Sequence, residues 1–220
     1  MKVYGQMCPL ARTAEIIGER WTLLILRALL YGSQSFNSLR KSMSGISPTI
    51  LSGRLRSLEI VGIIGRDENA GGVSYRLQPA GEALRPILMS LGDWGSRYTE
   101  AVHADVDMGH ILWEMSRRTN TDLFDPNETV VFGFDLECEE TWVFNLVIHQ
   151  GEARIEMKQK LNPLVTVHSD ARTFSLIWHG ELTFDEAMED NGLILEGEPQ
   201  EAERLTRCLG LGLFSGDLTK

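Results

Sequence analysis

The segment Ser47-Pro48-Thr49-Ile50-Leu51-Ser52-Gly53-Arg54-Leu55-Arg56-Ser57-Leu58-Glu59 constrains this chain more than any other. Its order predicts a helix with a defined start. Ser47 can cap the free backbone N–H groups of the first turn. Pro48 takes the first helical position, where a missing N–H costs nothing. Leu51, Leu55 and Leu58 recur at helical spacing and form one stripe to bury. The other face carries Thr49, Ser52, Gly53 and Arg56, with no acidic residue before Glu59. Two readings stand side by side. One is an ordinary amphipathic surface helix. The other is a rod whose slim, polar, acid-free face suits the major groove of DNA, where base edges present hydrogen-bonding groups.

The flanking residues favour the second reading. Pro9 to Ile17 predicts a helix preceded by Cys8, and Gly18 ends it. Cys8 then lies at a helix N-terminus, where the dipole favours a thiolate; the alternative is a small capping residue without chemistry. Trp21 to Tyr31 predicts a second helix with Trp21, Leu24, Ile25, Ala28 and Leu29 inward, closed by Gly32. Ser35 to Lys41 predicts a short third helix, with Phe36 and Leu39 inward and Arg40 and Lys41 outward. A turn at Ser44-Gly45-Ile46 leads into the leucine-striped helix. Helix, short turn and exposed second helix make a helix-turn-helix.

Beyond Gly62, Ile63 to Arg66 and Val73 to Leu77 read as two strands around the tip Asp67 to Gly72, a hairpin or wing. Arg66 and Arg76 flank it and are candidates for phosphate or minor-groove contact, although Asp67 and Glu68 sit beside them. A long helix is expected from Pro79 to about Ala104, with Leu84, Ile87, Leu88, Leu91, Trp94, Gly95 and Tyr98 in a wide apolar stripe. The stripe reads as a dimer interface, or as a face covered by a second domain.

Several of these motifs, in this order, carry a resemblance. They are Cys8-Pro9, Gly18-Glu19-Arg20-Trp21-Thr22, Phe36-Asn37-Ser38-Leu39-Arg40, Gly45-Ile46-Ser47-Pro48, Leu55-Arg56-Ser57-Leu58-Glu59, Tyr75-Arg76-Leu77 and Leu91-Gly92-Asp93-Trp94-Gly95. Residues 8–98 resemble the HxlR-type regulators, relatives of the MarR winged-helix proteins. The resemblance implies a homodimeric transcription factor that binds double-stranded operator DNA. It also implies that the cysteine matching Cys8 serves some members as a sensor of oxidants or electrophiles.

Charge places any DNA contact in the first half. The net charge is −10, yet residues 1–100 hold 12 Lys+Arg against 8 Asp+Glu, and residues 101–220 hold 9 against 23. The acidic half would be repelled by phosphates. The split points to two domains, 1–104 and 108–220, with a hinge near Val102–Met108. Three scattered cysteines argue against a disulfide framework or a zinc site. With no apolar run of about 18 residues, no membrane span is expected. Met1 to Gln6 lacks an apolar signal segment, which with the scattered cysteines points to the cytoplasm, and the HxlR-type resemblance implies a prokaryotic protein.

Residues 129–136 and 141–149 alternate apolar and other positions, as half-buried antiparallel strands do. Strands are also expected at 153–158, 165–168 and 192–197, and helices capped by Ser169 or Asp170, after Thr183 and from Pro199. This is an α+β domain, an antiparallel sheet with helices on one face. Pro163 to His168, Ala171 to Glu181, Leu182 to Ala187, Leu193 to Gly197 and the closing helix resemble, in their order, the sterol carrier protein-2-like fold. That resemblance implies a tunnel for lipids or other apolar molecules, and hence a lipophilic or aromatic effector. Trp113, Phe132, Phe134, Trp142, Phe144, Phe174, Trp178, Met188 and Phe214 are the candidates to line it; the plain alternative for each is core packing.

The DNA candidates are Thr49, Ser52 and Arg56 for base edges, Ser47 and Pro48 at the helix start, and Arg40, Lys41, Arg54, Arg66 and Arg76 for phosphate or wing contacts. No catalytic residue, metal site or cofactor is expected. The histidines lack metal spacing, and no phosphate-binding or dinucleotide motif occurs. A carrier or docking role for the second domain, with DNA binding secondary, and a cryptic enzyme remain as alternatives from other classes.

Overall fold

The computed structural model describes residues 4–69, 72–99, 106–139, 141–157 and 161–215. The chain divides into two compact units, Met1–Thr99 and Glu100–Lys220.

In the first unit, helices α1 (Pro9–Ile17) and α2 (Thr22–Leu29) precede a two-residue strand, β1 (Gln34–Ser35). Helices α3 (Phe36–Lys41) and α4 (Pro48–Ile60) follow, then strands β2 (Ile64–Asn69) and β3 (Gly72–Leu77). β3 lies between β1 and β2, antiparallel to both. The expected hairpin therefore becomes a three-stranded sheet, because Gln34 and Ser35 pair with Tyr75 and Ser74. Two expectations change in α2. Leu24 is 37% exposed. Trp21 sits outside the helix as its N-cap, in left-handed backbone at φ 78°, with the Arg20 guanidinium 5.1 Å from its ring centre.

The long helix expected from Pro79 is interrupted. It forms α5 (Pro79–Glu82) and α6 (Arg85–Tyr98). Pro86 has no N–H to give to the carbonyl of Glu82, so the i→i−4 ladder lapses there. The Arg85 guanidinium bridges the break, bonding the Glu82 carboxylate at 2.8 Å and the Leu30 carbonyl at 3.4 Å. Residues 100–105, which include the end of the expected helix and most of the expected hinge, lie outside the described residues.

The second unit opens with α7 (Met108–Arg118), a helix the sequence reading did not anticipate. Asp107 caps it, accepting from the His110 N–H at 2.9 Å. A five-stranded sheet follows, formed by β4 (Thr129–Glu137), β5 (Trp142–His149), β6 (Glu152–Met157), β7 (Val165–Asp170) and β8 (Leu193–Gly197), in the order β6-β5-β4-β7-β8. Three pairings are antiparallel, but β4 and β7 run parallel, which corrects the all-antiparallel expectation. The chain returns after β6 to place β7 beside β4, and that return cannot be read from alternation alone.

Helices α8 (Ala171–His179), α9 (Phe184–Glu189) and α10 (Pro199–Cys208) complete the unit. Phe132, Phe134, Phe144, Leu146 and Val167 on the strands pack with Ile111 and Met115 of α7, Phe174 and Trp178 of α8 and Leu205 of α10 into one contiguous core. Full burial of each such side chain contributes about 1.5–3 kcal/mol. β5 is not half-buried as expected, since Asn145 and Val147 on its other face are also covered. Pro163 lies over Gly133, the register partner of Asn145.

Candidate nucleic-acid interface

α4 is held at its start and along one side. The Ser47 hydroxyl accepts from the Ile50 N–H at 3.2 Å, and Pro48 occupies the first turn. Leu51, Leu55 and Leu58 are 0%, 1% and 2% exposed, which roots the helix in the first unit's core. Thr49, Ser52, Gly53 and Arg56 are exposed on the outward side, together with Ile50. The Ser57 hydroxyl turns back to donate to the Gly53 carbonyl at 3.0 Å and so keeps close to the helix surface.

The basic candidates fall into two groups. Arg54 is half-buried and bonds Glu19 at 2.8 Å, a link from α4 to the turn between α1 and α2. In the wing, Arg66 pairs with Glu68 and Arg76 with Asp67, both at 2.7 Å. These three guanidiniums are neutralised within the chain. Arg40, Lys41 and Arg56 are exposed and make no ion pair with a described residue. Arg40 and Lys41 end α3, where a cation also complements the helix dipole. Among the ten DNA candidates the free positive charge therefore lies on α3 and α4, and the wing contributes little of it.

Gly53 was noted in sequence only as part of a slim face. In the fold it is an exposed glycine inside a helix of 13 residues, and a Cβ built on it would meet nothing within 4 Å. Its backbone freedom costs the helix about 0.5–1 kcal/mol relative to alanine. The signal for it was a glycine interrupting an otherwise regular leucine period.

The second-unit candidates are not equivalent. Phe132, Phe134, Phe144, Phe174 and Trp178 are at most 1% exposed. The rings of Phe134 and Phe144 stack at 4.8 Å, and Phe174 meets Phe134 edge-on at 5.7 Å. Trp142 packs half-buried against the same core. Trp113 is buried outside that cluster, with the Arg117 guanidinium 4.1 Å from its ring centre. Phe214 is half-buried, and Met188 is 36% exposed. A buried carboxylate, missed in sequence, supports this region. Glu114 accepts from the Trp178 indole N–H at 2.7 Å and from the Leu213 N–H at 3.2 Å, tying the C-terminal segment to α7 and α8.

Cys8 is exposed at the N-cap of α1 and makes no capping bond through its side chain. Cys208 is buried, and desolvation pushes its thiol up to about 12. Among the described residues no group of three His, Cys, Asp or Glu side chains can hold a metal ion. No described helix is long and apolar enough to cross a membrane.

Residues 16–103 match the model of the HxlR-like helix-turn-helix family. YvaP of Bacillus subtilis, named an uncharacterised HTH-type transcriptional regulator, is 34% identical over 105 residues, 46% of this chain and 97% of that protein. YdeP of the same organism, named likewise, is 34% identical over 98 residues, 43% of this chain and 77% of that protein. The solved structure of the reduced form of the transcriptional regulator YodB from B. subtilis is 29% identical, with a TM-score of 0.39; the match covers 46% of this chain and 100% of that one. The chain belongs to the HxlR-like helix-turn-helix family of transcriptional regulators.

Proposed function

We propose that this chain is a cytoplasmic homodimer that binds double-stranded operator DNA through α4, and that an apolar small molecule taken up by the second unit modulates that binding. The observation that carries the DNA reading is the outward face of α4, free of carboxylates before Glu59 and flanked by the unpaired Arg40, Lys41 and Arg56. Thr49, Ser52 and Arg56 are assigned to base edges, with Ser47 and Pro48 setting the helix start at the groove. Arg40 and Lys41 are assigned to phosphates. Arg54, Arg66 and Arg76 reach phosphate only by exchanging Glu19, Glu68 and Asp67 for it, so their share is smaller. The two-fold symmetry of a dimer implies a pseudo-palindromic operator. Support for the dimer comes from α6, where Ile87, Leu91, Trp94 and Tyr98 are 45–71% exposed along one helix.

The domains are assigned as 1–104, a winged helix with its dimerisation helix, and 108–220, a sterol carrier protein-like sensor. An effector that enters the second domain displaces part of the ring cluster around Phe134, because those rings fill one another's space. It must bind the DNA-free and DNA-bound states unequally, by about 1–3 kcal/mol, to act as a switch. The test is a titration of operator binding, by fluorescence anisotropy, against fatty acids and planar aromatic compounds. The reading expects a shift of about 5- to 150-fold in apparent Kd for at least one compound. Binding of a compound to the second unit without any shift would leave that unit as a carrier or docking module.

A second reading has its own observation. Cys8 is exposed at the start of α1, so oxidation or alkylation there is sterically open. This reading expects diamide to change operator affinity in the wild type and to leave Cys8→Ser unaffected.

A further inference from the structure

We propose that Gly53 is the point of closest approach between α4 and the base-pair edges of a bound duplex, so that the missing side chain sets how deeply the helix seats in the major groove. This rests on the DNA reading given above and adds a residue to it.

A helical glycine needs a reason, because alanine in its place would strengthen the helix. At several other positions the reasons are internal, and Gly95, whose Cβ would reach only the Thr99 hydroxyl at 4.0 Å, lies on the α6 stripe assigned above to the dimer. A Cβ on Gly81 would lie 2.3 Å from the Ile63 carbonyl oxygen, and one on Gly212 would crowd Glu114 and Trp178. Gly45 and Gly62 hold backbone at φ 82° and 74°, where a side chain is strained. Gly53 has neither reason. Its backbone is helical, and the space beyond it is open. Among the described residues nothing comes within 4 Å of a Cβ built there, which leaves a gain from something outside that approaches the helix backbone.

The surroundings say what that is. Thr49 stands one turn before Gly53 and Arg56 one turn after, both exposed. The Ser57 hydroxyl folds onto the Gly53 carbonyl. The result is a low spot framed by a hydroxyl and a guanidinium that no carboxylate neutralises. A protein surface pressed there would have to leave Arg56 unpaired or supply an acid. Duplex DNA supplies guanine acceptors and phosphates for Arg56, and base edges with thymine methyl groups for the low spot. An α-helix about 10–12 Å across barely fits a major groove about 12 Å wide. Removing one side chain from the leading face lets the backbone sit closer and brings the short Thr49 and Ser52 within reach of the bases.

The experiment uses the full-length protein. Wild type selects duplexes from a random-sequence pool, and the enriched duplex is the probe for Gly53→Ala and Gly53→Leu, measured by anisotropy beside an unrelated duplex. Both substitutions are helix-favouring and a Cβ at position 53 meets nothing within 4 Å, so the Tm of the first unit should rise, by roughly 2–8 °C for alanine. Affinity for the selected duplex should fall in the order glycine, alanine, leucine, by roughly ten- to a hundredfold for leucine. Affinity for the unrelated duplex, governed by phosphate contacts, should hardly change. Wild-type affinity of both variants for the selected duplex would overturn the proposal. If wild type enriches no duplex at all, the DNA reading fails and this inference falls with it.

Discussion

Arg54 and Arg56 lie two positions apart on one helix, and the structure gives them different work. Arg54 is half-buried against Glu19 and joins α4 to the helices behind it. Arg56 points outward without an acidic partner. Sequence ranked both as DNA contacts because a guanidinium's partner 35 residues away leaves no trace in local spacing. The cysteines divide in a similar way. Cys8 and Cys138 are exposed, whereas Cys208, the last residue of α10, is buried in the core with its thiol pushed up to about 12. Since the thiolate is the nucleophile, a maleimide at pH 7.5 should label Cys8 and Cys138 and spare Cys208 until the second unit unfolds. Peptide mapping of the labelled protein, native and in denaturant, checks this. Labelling of native Cys208 at a rate like that of Cys8 would contradict the packing described.

At the level of elements, the caps and turns were legible because they depend on neighbours in sequence. Ser47-Pro48 starts α4, and Thr183 with Glu186 forms a reciprocal capping box on α9. Asp170 starts α8. Burial pulls its carboxyl up, but hydrogen bonds from the Thr173 side chain and from the N–H groups of Thr173, Arg172 and Asp170 outweigh this. The group therefore sits below its ordinary value of 3.8. A carboxylate depressed in the fold adds stability that is complete above its unfolded pKa and is lost as pH falls through the lower, folded value. Asp170→Ala should thus lower stability by about 0.5–2 kcal/mol near neutrality, and the gap from wild type should narrow below about pH 4. Thermal melts of both proteins between pH 3 and 7 measure it. A gap that widens with acid would reverse the sign. Less legible was the break between α5 and α6: an apolar stripe ran through it, and the stripe outweighed the one proline that prevents a continuous ladder.

For the molecule as a whole, the charge asymmetry and the wing combine into a statement about salt. The chain is acidic overall, and the wing arginines are neutralised by Asp67 and Glu68, so few cations are free to release counterions from DNA. With Arg40 and Lys41 assigned to phosphates in each protomer, the proposed dimer neutralises four phosphates through them. The slope of log K against log salt should then be about −4. Trp94→Glu places a charge on the exposed face of α6, and should yield a monomer whose slope is about half as steep. Sedimentation and salt-titrated anisotropy test both. A wild-type slope near −10 would mean that further cations, in the wing or at the exposed Arg12 and Arg20, also reach phosphate.

Local order alone determined the positions of most helices and strands, the outward face of α4 and the charge asymmetry of the two halves. Those features follow from periodicity, capping and charge, which act between residues close in the chain. Tertiary structure decided the parallel pairing of β4 with β7, the third strand of the wing and the burial of both faces of β5. It also decided which arginines are spoken for and why Glu114 is buried. These depend on contacts between residues tens of positions apart, and such contacts form only when the chain folds back on itself. Gly53 belongs to both: the sequence places a glycine in a helix, and only the fold reveals that no described residue lies within 4 Å of the side chain it lacks.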